Sequence, residues 1–170
     1  MNDHLFNVVP ECYADTMLVN LLGFQGVNHA LNSNVSYVQK TIKARKPHEK
    51  WVGIIDSDRG RQEKLLDDFT LESEEQHIKK YVNGARVILV LCPALETWIY
   101  QNAEQVGVSP EKYGFQSPKY FRDSCKDMNA KQNQELKQFL NTLKQKNAPG
   151  FVQLKSWICA AIGIAEDELA

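Results

Sequence analysis

Trp51-Val52-Gly53-Ile54-Ile55-Asp56-Ser57-Asp58-Arg59-Gly60 is the stretch on which the fold turns. Five uncharged residues run straight into two carboxylates placed two positions apart. The apolar half reads as a strand at the centre of a sheet, and the acidic half as the loop leaving its carboxyl end. Outward from it, Val87-Ile88-Leu89-Val90-Leu91 is a second continuous apolar run, closed by Cys92-Pro93, and Leu5 to Pro10 is a shorter third. Gly26 to Leu31 reads as a weaker strand. Segments of helical period separate these runs. One covers Ala14 to Leu22 and stops at Gly23; another runs from about Val35 to Arg45, capped by Asn34 or Ser36, and ends before Pro47. Ser73-Glu74-Glu75-Gln76 has the form of a capping box opening a helix that ends near Asn83-Gly84, and Ala94 to Gln105 is a strong helix.

Strands alternating with helices predict an α/β fold, a three-layer sandwich around a mostly parallel sheet of about four strands with right-handed crossovers. Beyond Val108 the pattern changes. Ser109 to Phe121 reads as a Pro/Tyr-rich loop, Asn129 to Gln145 as a polar helix and Phe151 to Ile164 as an apolar one. Residues 1–108 therefore form the expected core, and residues 109–170 a helical extension packed on the same domain.

The chain has 170 residues, with 20 Lys+Arg against 21 Asp+Glu, a net charge of -1 and 43% hydrophobic residues. These values suit one globular domain and argue against disorder. The near-neutral balance removes the simplest argument for nucleic-acid binding, although it leaves room for local basic patches. No apolar run is long enough for a membrane span, and Met1 to Val9 lacks the basic segment of a secretion signal. Cys12, Cys92, Cys125 and Cys159 are widely spaced, with no Cys-x-x-Cys pair, as expected of a reduced, cytoplasmic chain. Cys12 and Cys92, at the ends of apolar runs, read as small core residues. His4, His29, His48 and His77 have no metal-ligating spacing.

Ligands meet an open parallel sheet at the carboxyl ends of its strands. Acidic residues dominate the segments that follow the three apolar runs: Glu11 and Asp15, then Asp56 and Asp58, then Glu96. Asp56 and Asp58, two apart in an extended segment, share one face and repel unless a cation lies between them. Glu11 approaching from a neighbouring strand raises that cost. Hard oxygen ligands in such number favour Mg²⁺ or Mn²⁺, and the chemistry of such a site is phosphoryl transfer or phosphodiester cleavage. The competing reading is structural: Asp-x-Asp before Gly also forms Asx turns and helix caps, and Glu96 also reads as an exposed helix residue.

Glu11-Cys12-Tyr13-Ala14-Asp15 after a first strand, followed later by Ile54-Ile55-Asp56-Ser57-Asp58-Arg59-Gly60, resembles the Toprim domain. The pattern is most similar to the RloB-like and OLD-type Toprim nuclease group, in which Cys92-Pro93-Ala94-Leu95-Glu96-Thr97-Trp98 resembles a recurring Asn-Pro-x-Phe-Glu-x-Trp stretch. The likeness covers roughly residues 5–108 and departs at two positions: Cys12 stands for the usual glycine and Cys92 for the usual asparagine. It implies a Rossmann-like Toprim sandwich and a metal-dependent hydrolase cleaving DNA or RNA, such as a nuclease of phage defence. Glu11 would be general base or ligand, Asp56 and Asp58 ligands, and Glu96 a fourth carboxylate. A separate ATPase or other protein subunit, or a homo-oligomer, is the partner implied.

Arg59 and Arg61 flank the acidic loop, where they would either hold a substrate phosphate or pair with Asp67 or Asp68. Lys119, Arg122, Lys126 and Lys131 interleave with Tyr113, Phe115, Tyr120 and Phe121, a pattern that suits stacking on single-stranded bases and equally a loop folded onto the core. The alternative function is a non-catalytic α/β module that binds metal, nucleotide or a protein through its acidic strand ends. A receiver-like domain fits less well, because Asp56 is doubled by Asp58 and the late strand ends in Cys92-Pro93. No phosphate-binding Gly-x-x-x-x-Gly-Lys-[Ser/Thr] motif occurs.

Overall fold

The computed structural model describes residues 6–27, 35–57, 66–127 and 129–169. In chain order they form β1 (Val8–Pro10), α1 (Tyr13–Leu21), α2 (Val35–Lys43), β2 (Trp51–Asp56), β3 (Thr70–Glu75), β4 (Ile78–Asn83), β5 (Arg86–Leu91), α3 (Leu95–Gln105), α4 (Pro118–Lys126), α5 (Gln134–Gln145) and α6 (Pro149–Ile162). One sheet has the order β1-β2-β5-β4-β3.

The sheet is mixed. β1, β2 and β5 are parallel, with Val9 beside Gly53 and Gly53 beside Ile88. β3 and β4 are antiparallel to each other, and β4 is antiparallel to β5. The mostly parallel sheet of about four strands is thus corrected to five strands, of which two are an antiparallel hairpin. That hairpin replaces the helix expected from Ser73 to Asn83. Ser73-Glu74-Glu75-Gln76 imitates a capping box, but pairing overrides it: Ile78 lies opposite Leu91, Tyr81 opposite Ile88 and Val82 opposite Val87, and Ile78 is fully buried. The turn is the two-residue Gln76-His77, with φ of 50° and 57°. Positive φ at both positions is the turn geometry that matches strand twist. It is held from outside by the Trp98 Nε1–H donating to the Gln76 carbonyl and the Cys92 amide donating to the His77 carbonyl, both at 2.9 Å.

Period-2 alternation divides the central strands between two apolar clusters. Val8, Val52, Ile54, Val87, Leu89 and Leu91 point to one face, where they meet α1 and the helices from α3 onward, including Phe121, Phe139 and Phe151. Val9, Trp51, Ile55, Ile88 and Val90 point to the other, against Val38 and Ile42 of α2 and Leu66 and Phe69. Gly53 lets α2 lie close: a Cβ there would stand 2.7 Å from Val38 Cγ1. The buried Arg86 guanidinium donates to the Lys43 and Arg45 carbonyls at 3.1 and 3.0 Å, fixing the end of α2 to the start of β5.

Other expectations shift. Gly26 lies in a turn and Val27 just after it, both outside any strand, while residues 28–31 lie outside the described residues. The loop expected from Ser109 to Phe121 contains a 3₁₀ turn, Pro110–Tyr113, and the start of α4, which opens with Ser117 accepting from the Tyr120 amide and Pro118 in the first turn. Its aromatics fold inward: Phe115 and Phe121 are buried, while Tyr120 is exposed. Cys12 and Cys92 are only half-buried, and Cys125 and Cys159 are the core cysteines; all four are free thiols.

Candidate functional site

β1 and β2 are adjacent and parallel, so their carboxyl ends bring Glu11 and Asp56 to one place. The Glu11 amide continues the ladder by donating to the Ile54 carbonyl at 3.1 Å. Its side chain then turns across the strand end, where Glu11 Oε2 accepts from the Asp56 amide at 3.3 Å. Asp56 is the last residue of β2, and its Oδ2 accepts from the Leu95 amide at 3.3 Å. The residue before α3, Ala94, has no side chain able to cap. Asp56 performs that task from a neighbouring strand, and the positive end of the α3 dipole favours its charge.

Behind this pair lies Asp15, at the third position of α1 and buried. It forms a reciprocal cap with Cys12: the Cys12 amide donates to Asp15 Oδ2 at 3.2 Å, and the Asp15 amide donates to Cys12 Sγ at 3.4 Å. Asp15 Oδ1 is buried with no hydrogen-bond partner. Burial first, and then the charge of Asp56, push the Asp15 carboxyl up to about 7; the Glu96 charge adds to this. Desolvation and the Asp15 charge likewise push the Cys12 thiol well above its usual range. The Cys12 backbone is extended, with φ of -126°, so its conformation does not require the glycine usual in Toprim domains.

Glu96 sits in the first turn of α3, mostly buried, and pairs with Arg122 of α4 at 3.4 Å. Its charge is felt at both Asp15 and Cys125. Asp56 and Glu96 thus both act electrostatically on Asp15, and Glu11 joins them through the Asp56 amide. Asp58, Arg59 and Arg61 lie outside the described residues. Among the described residues, no three His, Cys, Asp or Glu side chains are grouped so as to hold one metal ion. What the described residues offer a cation is Glu11 and Asp56, which meet through the Asp56 amide and each already accept one backbone hydrogen bond, and the unpartnered Asp15 Oδ1.

In the sequence, Asp15 stands among the acidic residues after the first strand and Arg122 in a basic–aromatic group, but neither is given its place at this site. Asp15 could have been found from its place three residues after a helix cap, directly behind an acidic strand end. Arg122 carries no such signal, because its meeting with Glu96 depends on how α4 packs on α3. No helix of the described residues is long and apolar enough to cross a membrane. Compared with family models, curated proteins and solved structures, the chain finds no match.

Proposed function

We propose that the chain is a divalent-metal-dependent enzyme acting on nucleic-acid phosphodiester bonds, a Toprim-like nuclease of the kind used in phage defence. The observation that carries this reading is the meeting of Glu11 and Asp56 across the ends of two parallel strands. Glu11, Asp56 and Asp58 would hold Mg²⁺ or Mn²⁺, which when bound polarises a phosphoryl oxygen. Glu11 would also serve as general base, and Glu96, paired with Arg122, would bring a further carboxylate. Arg59 and Arg61 are candidates for holding the substrate phosphate. Four free cysteines suit a reducing cytoplasm, and the substrate is DNA or RNA, with an ATPase subunit, another protein or a second copy as partner.

A specific observation also favours the non-catalytic module. Glu11 already ties β1 to β2, and Asp56 already caps α3, so each has a structural task without any ion. Cleavage of single- and double-stranded DNA and RNA in Mg²⁺ or Mn²⁺ separates the two readings. The nuclease loses at least about a hundredfold in rate in Asp56→Asn/Asp58→Asn, given that weaker second-shell changes already cost 10–100-fold. A folded wild type that takes up metal but cleaves none of these substrates, alone or with its partner subunit, is the binding module.

A further inference from the structure

Glu96 belongs to two places at once. On one side its charge acts on buried Asp15; on the other it lines a groove of about 250 Å³ between α3 and α4, together with Thr97, Tyr100, Pro118, Phe121 and Arg122. The groove is small beside the roughly 300–1,000 Å³ pockets that enclose drug-sized ligands, and suits a single ring system. Its wall is aromatic: the Tyr100 and Phe121 rings stand 4.8 Å apart, Phe121 fully buried and Tyr100 half-buried. Its rim is polar, with the Thr97 hydroxyl on α3 and the Arg122 guanidinium on α4. Arg122 remains about half exposed in its pair with Glu96, so the pair is weak enough to be exchanged for a better anion. Lys119, three residues before Arg122, and Lys126, four after it, lie on the same side of α4, with Lys119 paired to Asp123 at 3.4 Å.

An apolar slot, a hydrogen-bonding edge and a fixed guanidinium match the three parts of a nucleotide. A base inside a duplex is stacked and paired and cannot enter a slot between two helices. We propose that the α3–α4 groove takes one unpaired nucleotide of a single-stranded nucleic acid, its base against Tyr100 and Pro118 and its phosphate on Arg122. This rests on the nuclease reading above and names its substrate: a single strand, entered beside Glu96. Arg122 and Tyr100 are then binding residues, and α4 guides the strand.

The test is fluorescence anisotropy with labelled single-stranded DNA and RNA 12-mers and the matching duplexes, with Ca²⁺ replacing Mg²⁺ to withhold turnover. Tyr100→Leu is expected to weaken single-strand binding about tenfold, in the range of one lost stacking contact, and to leave duplex binding unchanged. Arg122→Gln weakens single-strand binding and lowers the slope of log affinity against log salt by about 0.7, while Arg122→Lys recovers most of the loss. Glu96→Gln binds at least as tightly as wild type, whereas an Arg122 that acted only by holding Glu96 would make Glu96→Gln as weak as Arg122→Gln. Arg122 is half-exposed, so its variants keep the test open where Tyr100→Leu disturbs packing on Phe121. If wild type binds single strands and, with Mg²⁺ restored, cleaves them, while both variants match it or lose single strand and duplex equally, the groove is overturned alone. If wild type neither binds nor cleaves any of the four probes, the nuclease reading falls and the groove with it.

Discussion

Glu11 and Asp56 stand 45 residues apart in the chain, yet the Asp56 amide donates to Glu11 Oε2 at 3.3 Å. The parallel register of β1 and β2, Pro10 beside Ile54, makes this contact, because it sets Glu11 level with Ile55, one residue before Asp56. Asp15 lies behind them with an unpartnered oxygen, and Asp56 faces the amino end of α3. An acidic site is therefore assembled by backbone pairing and by a borrowed helix cap, before any ligand is considered.

Asp15 makes stability depend on pH. Its carboxyl, raised from 3.8 to about 7, keeps a proton in the folded chain that the unfolded chain releases above pH ~4. Unfolding between these values releases that proton, so stability falls as pH rises from about 4 to about 7 and is level above. Asp15→Asn removes this slope and at pH 8 is more stable than wild type by up to roughly 4 kcal/mol. Asp56→Asn, which removes the second cause of the shift, moves the upper end of the slope below pH 7. Urea denaturation from pH 4 to 8 measures all three proteins. Parallel pH profiles for wild type and Asp15→Asn would show that Asp15 is ionised in the fold.

Gly53 is required by the approach of α2 to β2. A Cβ there would meet Val38 Cγ1 at 2.7 Å and Ile42 Cγ1 at 3.1 Å, both on fully buried side chains. Gly53→Ala is expected to destabilise by about 1–3 kcal/mol, the usual cost of overpacking. Adding Val38→Ala to it should cost less than the two single changes summed. Thermal or urea unfolding of the four proteins in this cycle gives the coupling directly, and strict additivity would contradict the close packing.

His77 occupies a left-handed conformation, with φ of 57°, in a two-residue turn that favours glycine. Its carbonyl, which accepts from the Cys92 amide, is backbone and survives substitution. His77→Gly is expected to stabilise by about 0.5–1 kcal/mol, or raise Tm by roughly 2–4 °C. A lower Tm would mean that the imidazole itself has a stabilising contact.

The sequence is legible where side-chain pattern and backbone pairing agree. Trp51 to Ile55 and Val87 to Leu91 are apolar on both faces because both faces of the sheet are covered there, and the helices from Tyr13, Val35 and Leu95 follow from their helical period. The β3–β4 hairpin is not legible, for a physical reason. Its outer strand is polar and exposed, its turn lacks the usual glycine, and Ser73 to Gln76 satisfies a helix-capping pattern that pairing with β5 overrides. At the site, the acidic residues ending β1 and β2 could be read from their places in the chain. The burial of Asp15 and the reach of Arg122 to Glu96 could not, because both arise from helices packing after the strands are set.

Titration of Mn²⁺ into the metal-free chain, followed by the loss of the free-ion electron paramagnetic resonance signal, asks whether Glu11 and Asp56 hold an ion together. One Mn²⁺ bound per chain is expected, with affinity falling at least about tenfold in Glu11→Gln and again in Asp56→Asn, as for loss of a group supporting a metal site. Wild type and both variants binding Mn²⁺ alike, or none binding it, would leave the contact between these residues as a strand tie and a helix cap, with no metal chemistry at this end of the sheet.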